Sequence, residues 1–518
     1  MQVLEPSVST ARELRTSSYV IYVDLPDDRD TMLLVHGYTG AHDRVSSSVA
    51  GYLRSLERGK IPKPLFGEWA PEPEIPWTAP SDATVERLRK RGYLTDKTVE
   101  EEREFFEANV ARIHMAALRA APSYVIMPTY ECNLRCPYCF QDEMRRNPAL
   151  SHLLRFMTPS MADRIIASTV QIEEKHGVIL GADIARPFMF FGGEPLLARA
   201  RPVIEHFMKT ARAAGKAIFS AVTNGTEIDS YLDLLGPEGI GFVQVTIDGP
   251  PEHHDSRRIY ADGSGSFDVI TRNVTLALER SAAISLRVNS DRTTLPVLPQ
   301  LAAHFERQGW ADNPRFSAYT ATVHEHGPSV TPERRKELLN SSELGAAVEA
   351  LREKHPEMRS FLGVDEAMKT RALQIFTKRA SAIPSASSFC GANRGMYIFD
   401  AFGDIYACWE RTGDKNIRIG YVGEDGVIVM NEAMNSTWRN RTVASNPVCR
   451  QCRFAMNCGG GCAVLAEATT GNLYSNFCDA FGKRFRTSVA QAYLQYVRTG
   501  GAVDDSRAEM LAMQEALR

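Results

Sequence analysis

The run Glu131-Cys132-Asn133-Leu134-Arg135-Cys136-Pro137-Tyr138-Cys139-Phe140-Gln141 (ECNLRCPYCFQ) follows the apolar stretch Tyr124-Val125-Ile126-Met127. A short apolar run of this kind reads as a buried strand, so three thiols leave one strand end together. A tetrahedral zinc site or a closed iron-sulfur cluster takes four protein ligands, and no fourth cysteine or histidine lies within reach of the loop. A metal centre held here keeps one position open. The competing readings are a zinc knuckle or chance thiols, because short motifs carry false positives.

The spacing Cys-x3-Cys-x2-Cys, followed by the aromatic Phe140, resembles the radical S-adenosylmethionine (radical SAM) family. The resemblance implies that Cys132, Cys136 and Cys139 hold a [4Fe-4S] cluster whose unique iron binds the amino and carboxylate groups of S-adenosyl-L-methionine. It implies an external low-potential electron donor of flavodoxin or ferredoxin type. Its electron cleaves the sulfonium to give a 5'-deoxyadenosyl radical, with Phe140 beside the cofactor.

Working outward, apolar runs alternate with helical segments from Ser123 onward, the sign of parallel β/α units. Strands are expected at Tyr124 to Thr129, Pro187 to Phe191, Ala217 to Thr223, Phe242 to Ile247, Ser285 to Asn289 and Arg315 to Tyr319. Six such units resemble the family's partial (β/α)6 TIM-like barrel, where chemistry gathers at the C-terminal ends of strands. The second strand runs into Phe191-Gly192-Gly193-Glu194-Pro195, matching the family's GGEP element. The match implies that Gly192 and Gly193 let the backbone approach the methionyl group and that Glu194 pairs with its ammonium. By the same resemblance Asn224 and Thr246, at the ends of the third and fourth strands, contact the cofactor, and Arg258 faces its carboxylate, or Arg257 if the loop is shifted by one. Each has a plainer reading as a strand, turn or solvated residue. Adjacent His253 and His254 cannot share a metal from one strand face and read as loop residues. Asn289 is equally a ribose contact or a loop amide.

Seven further cysteines lie near the C-terminus: Cys390, Cys408, then Cys449-x2-Cys452-x5-Cys458-x3-Cys462, then Cys478. The arrangement resembles the seven-cysteine SPASM extension, which implies two auxiliary [4Fe-4S] clusters, three in all. Carried over, Cys390, Cys408 and Cys462 belong to the first auxiliary cluster and Cys449, Cys452, Cys458 and Cys478 to the second. Three, four and four ligands would need one cysteine more than the ten present, so the first auxiliary cluster is one short. Sulfatase maturases, which share the extension, place an aspartate after the cysteine matching Cys408; here Trp409-Glu410-Arg411 follow. Glu410 is the remaining candidate catalytic base, although on a strand it would face away.

The N-terminal 118 residues read as two strands, Tyr19 to Leu25 and Thr31 to Val35, then helices Ser46 to Glu57 and Ser81 to Arg91 around a Pro-rich linker from Ile61 to Pro80. That order resembles a winged-helix-like peptide-recognition domain; a stabilising cap on the barrel is the alternative. His36-Gly37-Tyr38-Thr39-Gly40 looks like a hydrolase oxyanion loop, but no G-x-S-x-G elbow follows. A helix from Glu100 to Ala121 leads to the barrel at 119–325. A helical connector spans 326–387 with helices at Pro332 to Lys354 and Val364 to Lys378, and an auxiliary-cluster domain spans 388–518 with helices at Phe481 to Val497 and Ser506 to Leu517.

With 518 residues, several domains are expected. A net charge of −3 provides no basic field for nucleic acid. No apolar run reaches the roughly 18 residues that cross a bilayer, and no signal-peptide pattern opens the chain, so a cytoplasmic location without a membrane partner is expected. Ten cysteines in a reducing compartment read as metal ligands. Together these readings describe an α/β radical SAM enzyme that takes hydrogen from a precursor peptide to install a cross-link. A Ser/Cys dehydrogenase of the sulfatase-maturase kind and a non-enzymatic electron-transfer module are the alternatives.

Overall fold

The computed structural model describes residues 13–57, 75–323, 325, 330–381 and 385–500. The expected helix Ser506 to Leu517 and much of the Pro-rich linker lie outside the described residues. Strand β1 (Arg15–Thr16) precedes a three-stranded antiparallel sheet, β2 (Val20–Leu25), β3 (Asp28–His36) and β4 (His42–Ser46). A two-residue turn at Pro26-Asp27 joins β2 to β3, the shortest hairpin connection. β2 is apolar at five of its six positions because both faces are covered. Val20, Tyr22, Met32 and Leu34 pack with helices Ser47–Ser55 and Asp82–Lys90. Ile21, Val23, Leu33 and Val35 pack on helices Glu366–Phe376 and Phe481–Thr499 from the far end of the chain. β5 (Leu94–Thr95) pairs with β1. Helix Val99–Leu118 then starts on a Thr98/Glu101 capping box, which satisfies two orphan N–H groups.

Six parallel strands follow in sequential order: β6 (Ser123–Ile126), β7 (Arg186–Phe190), β8 (Ala217–Thr223), β9 (Ile240–Thr246), β10 (Ala283–Ser290) and β11 (Phe316–Thr322). All six lie where apolar runs place them, within a few residues. Helices Pro159–His176, Arg201–Ala213, Phe267–Glu279 and Leu298–Arg307 fall between them and bury Ile165, Phe207, Val274 and Phe305 against the sheet in one core. β12 (Phe361–Leu362) adds a short parallel strand beside β11. The connector's first helix is two, Pro332–Glu337 and Ser341–Lys354, because Asn340 caps a new start with Glu343.

The sheet also continues past β6. β13 (Met396–Phe399) runs parallel to β6, pairing Met396 with Ser123 through Phe399 with Ile126. β14 (Asp404–Tyr406), β15 (Gly420–Val422) and β16 (Ile428–Met430) extend it antiparallel to eleven strands. The C-terminal region is thus stitched to the parallel sheet by backbone hydrogen bonds. Among the described residues no helix is long and apolar enough to cross a membrane.

Candidate active site

The Cys132–Cys139 loop leaves β6 and is held from β7. Gly193 donates its N–H to Thr129 O (3.1 Å) and Glu194 to Glu131 O (2.7 Å). Gly192 sits at φ +140°, where a Cβ would stand 2.5 Å from Thr129 O, and a Cβ on Gly193 would fall on the Tyr130 and Glu131 carbonyls. The paired glycines therefore bring this backbone against the base of the cysteine loop. Glu194 is fully buried and accepts from Leu196 N–H (2.8 Å), Thr223 Oγ1 (2.6 Å) and Asn224 N–H (2.5 Å). Three of a carboxylate's roughly four acceptor positions are thus occupied. Where the sequence suggested an ammonium partner, the structure shows a tie between the ends of β7 and β8. Burial pushes the Glu194 carboxyl up to about 7 against those three donors.

Asn224 continues the contact, its Nδ2 reaching Asn133 Oδ1 (2.8 Å) and lying 3.7 Å from Cys132 Sγ. Burial, with the charge of Glu194 adding to it, pushes the Cys132 thiol up to about 12; Cys132 also feels Cys136, and Cys136 feels Cys139. Arg145, on helix Asp142–Arg146, donates from Nη2 to Cys139 Sγ at 3.1 Å.

The opposite wall is a network that sequence reasoning missed. Tyr138, between the second and third cysteines, donates its hydroxyl to Asp248 Oδ2 and accepts from Arg258 Nη1 (2.8 Å) and Asn289 Nδ2 (3.4 Å). Asp248 Oδ1 takes the Asn289 N–H (3.0 Å). Phe140, expected beside the cofactor, is 52% exposed; the aromatic turned inward is Tyr138, and its phenolic oxygen is the signal that would have found it. Arg258 and Arg257 are both buried, and they divide the work. Arg258 meets Tyr138, while Arg257 pairs with Asp291 (3.4 Å) and lies over the Tyr138 ring (5.2 Å). Thr246 ends β9, buried, in register with Arg287. His253 and His254 lie on the short helix Pro251–Asp255, not in a loop. His254 is structural, bonding Asp248 N–H (3.1 Å) and Ser266 Oγ (3.0 Å).

The C-terminal thiols fall into two neighbourhoods. Burial raises the Cys408 and Cys449 thiols, and beyond it Cys408 feels Cys390 and Cys462, whereas Cys449 feels Cys458, Cys452 and Cys478. The first three pack against the barrel core. Cys449 and Cys452 join a separate core with Tyr19 and Phe106 of the N-terminal region. Gly459, Gly460 and Gly461 all take positive φ, and a Cβ on Gly461 would strike the Phe477 carbonyl. Arg441, buried, bonds the carbonyls of Gly461 (3.0 Å) and Ser475 (2.8 Å) and feels cysteines of both neighbourhoods.

Trp409 and Glu410 occupy a turn after β14, not a strand, so the alternation argument against Glu410 fails. Trp409 lies 5.6 Å, ring to ring, from Phe191 before the paired glycines. Glu410 is raised by burial, opposed by Arg287 of β10 and by Arg411.

These residues fit an anionic cluster and an amino-acid-bearing cofactor. Arg145 Nε and Nη1, Arg257 Nη2 and Arg258 Nε are buried without a partner, donors that are costly unless an acceptor arrives. Among the described residues no three His, Cys, Asp or Glu side chains converge on one point as a single metal ion requires; the thiols of a cubane cluster each bind a different iron.

Residues 126–288 match the radical SAM superfamily. The chain carries a radical SAM domain. It is 22% identical over 389 residues to a cysteine-type anaerobic sulfatase-maturating enzyme of Clostridium novyi (strain NT), covering 72% of this chain and 96% of that one. It is 24% identical over 363 residues to the mycofactocin maturase MftC of Mycobacterium tuberculosis (strain H37Rv), covering 66% and 78%. A solved structure, native anSMEcpe with bound AdoMet and Cp18Cys peptide, superimposes with a TM-score of 0.53 at 17% identity, over 74% of this radical SAM chain and all of the other, a likeness of fold. The family implies a [4Fe-4S] cluster and S-adenosyl-L-methionine.

Proposed function

We propose that the protein is a peptide maturase that removes hydrogen from a residue of a ribosomally made precursor peptide and installs an intramolecular C–C, C–O or C–S cross-link. One observation carries the reading: the Cys132–Cys139 loop is pinned by the Gly193–Glu194 backbone and faced by buried, partnerless arginine donors. When bound, the cluster and S-adenosyl-L-methionine supply a 5'-deoxyadenosyl radical.

In this reading Cys132, Cys136 and Cys139 are the cluster ligands. The Tyr138–Asp248–Arg258 network orients the methionyl carboxylate, with Arg258 Nε its free donor. Glu194 acts at one remove by fixing Gly193 and Asn224. Cys390, Cys408 and Cys462 hold one auxiliary centre and Cys449, Cys452, Cys458 and Cys478 the other. Glu410 takes the proton from the substrate, Cys390, Cys408 and Cys462 nearby would hold the centre that supplies an acceptor for the surplus electron, and the Trp409 indole closes the space toward Phe191 against water. The N-terminal sheet recognises the peptide, and a flavodoxin- or ferredoxin-type donor supplies electrons.

The deciding experiment incubates the anaerobically reconstituted protein with S-adenosyl-L-methionine, dithionite and the peptide encoded beside its gene. Release of 5'-deoxyadenosine and loss of two hydrogens from the peptide are expected. No 5'-deoxyadenosine from iron-replete protein overturns the proposal. The length shared with the sulfatase-maturating relative favours a second reading, a Ser/Cys dehydrogenase; an aldehyde formed on a sulfatase peptide would establish it.

A further inference from the structure

We propose that Arg145 is a positioning residue for the cluster on Cys132, Cys136 and Cys139, its guanidinium stabilising the one-electron-reduced form. The proposal rests on the functional reading above. The chain turns into helix Asp142–Arg146 directly after Cys139, with Asp142 N–H on Cys139 O at 3.1 Å. That turn folds the Arg145 side chain back beneath the loop, where it is 2% exposed. Nη2 reaches Cys139 Sγ at 3.1 Å. Nε and Nη1 are buried with no partner, and Asp142 Oδ1, at 3.8 Å, is beyond hydrogen-bond distance.

A buried guanidinium with unpaired N–H groups is costly in itself. Asp142 supplies a charge at ion-pair distance but no acceptor, and an anionic cluster held by three thiolates supplies the missing acceptors together with a closer charge. Arg258, turned to Tyr138 on the opposite wall, faces Cys136 rather than Cys139. The cluster accepts one electron from the reductant and no proton, so its negative charge grows by one. Net charge and hydrogen bonds to the sulfurs set the potential of such a centre; a fixed cation against Cys139 raises it and brings it within range of the donor.

The test is an EPR-monitored dithionite titration of the full-length protein reconstituted anaerobically with iron and sulfide. The relevant signal is the one that changes when S-adenosyl-L-methionine is added. Arg145→Gln is expected to reduce the ratio of reduced to oxidised cluster at the wild-type midpoint about tenfold, a fall of about 59 mV for one electron. Arg145→Lys, which keeps the charge, should titrate close to wild type. Coincident midpoints for wild type and Arg145→Gln at equal iron content overturn the proposal. If Arg145→Gln loses the cluster, Arg145→Lys decides: iron retained at the wild-type potential supports the role of charge, and iron lost again or a shifted potential overturns it. Failure of the functional reading shows separately, as wild-type protein of full iron content that releases no 5'-deoxyadenosine, and it leaves the midpoints readable.

Discussion

Removing the Tyr138 hydroxyl deprives Asp248 of a donor and Arg258 of an acceptor in a buried network. Leaving such groups unsatisfied costs about 1–3 kcal/mol. Tyr138→Phe should therefore retain its iron yet release 5'-deoxyadenosine roughly tenfold more slowly, about 1.4 kcal/mol in barrier, as chromatography of the nucleoside will show. Asp400 gives a pH prediction. Burial, with the Asp404 charge next, pushes its carboxyl from 3.8 up to about 7, although Phe402 N–H, Asp404 N–H and the Tyr130 hydroxyl all donate to it. The folded state then binds more protons than the unfolded one between those values. Stability contributed by Asp400 is present below about pH 4 and is lost as pH rises toward about 7. Thermal midpoints of the metal-free protein should fall across that window, and Asp400→Asn should flatten the slope. At this scale the placement of the Cys132–Cys139 loop and of Glu194 at strand ends was legible in their spacing, whereas the three donors that hold Glu194 were not. Tyr138 was not, since a phenol reads as core until its partners on other strands are known.

The paired glycines act at the level of the strand end. Gly193→Ala places a methyl on the Tyr130 and Glu131 carbonyls, and backbone cannot yield as a side chain can. Overpacking of this kind costs about 1–3 kcal/mol; the variant should lose iron from the Cys132–Cys139 loop selectively, seen by iron analysis and loss of the signal that responds to S-adenosyl-L-methionine. Helix Phe481–Thr499 buries Phe485 under the N-terminal sheet. Phe485→Ala removes about 3–5 kcal/mol and should speed hydrogen exchange in β2 and β3 while β7 to β10 stay protected. The barrel strands could be read from their apolar runs, which are four to eight residues long. β13 to β16 were not foreseen, because three or four residues such as Asp404-Ile405-Tyr406 carry too little periodicity to separate a strand from a turn. The condition that Glu410 lie on a strand fails in the same short stretch, where residues 409–410 form a turn.

Across the molecule, the described part of the N-terminal region packs on the C-terminal region. It closes over the Cys449–Cys458 loop: Tyr19 stacks on Phe106 (4.8 Å) and donates its hydroxyl to Arg450 O (2.6 Å), and Gly37 abuts the Arg453 carbonyl with no room for a Cβ. The HGYTG run that resembled an oxyanion loop is a docking surface. Under the proposed cluster assignment, Gly37→Ala should pry this contact open and quicken the bleaching in air of the centre on Cys449, Cys452, Cys458 and Cys478, as visible absorbance will record. The ladder joining Ser123–Ile126 to Met396–Phe399 has a kinetic corollary. Sliding Cys390 and Cys408 nearer to or farther from the Cys132–Cys139 loop would rupture main-chain bonds in the middle of an eleven-stranded sheet. Under the proposed assignment, the span between the centres that these two groups of thiols would hold is therefore set once, when the chain folds.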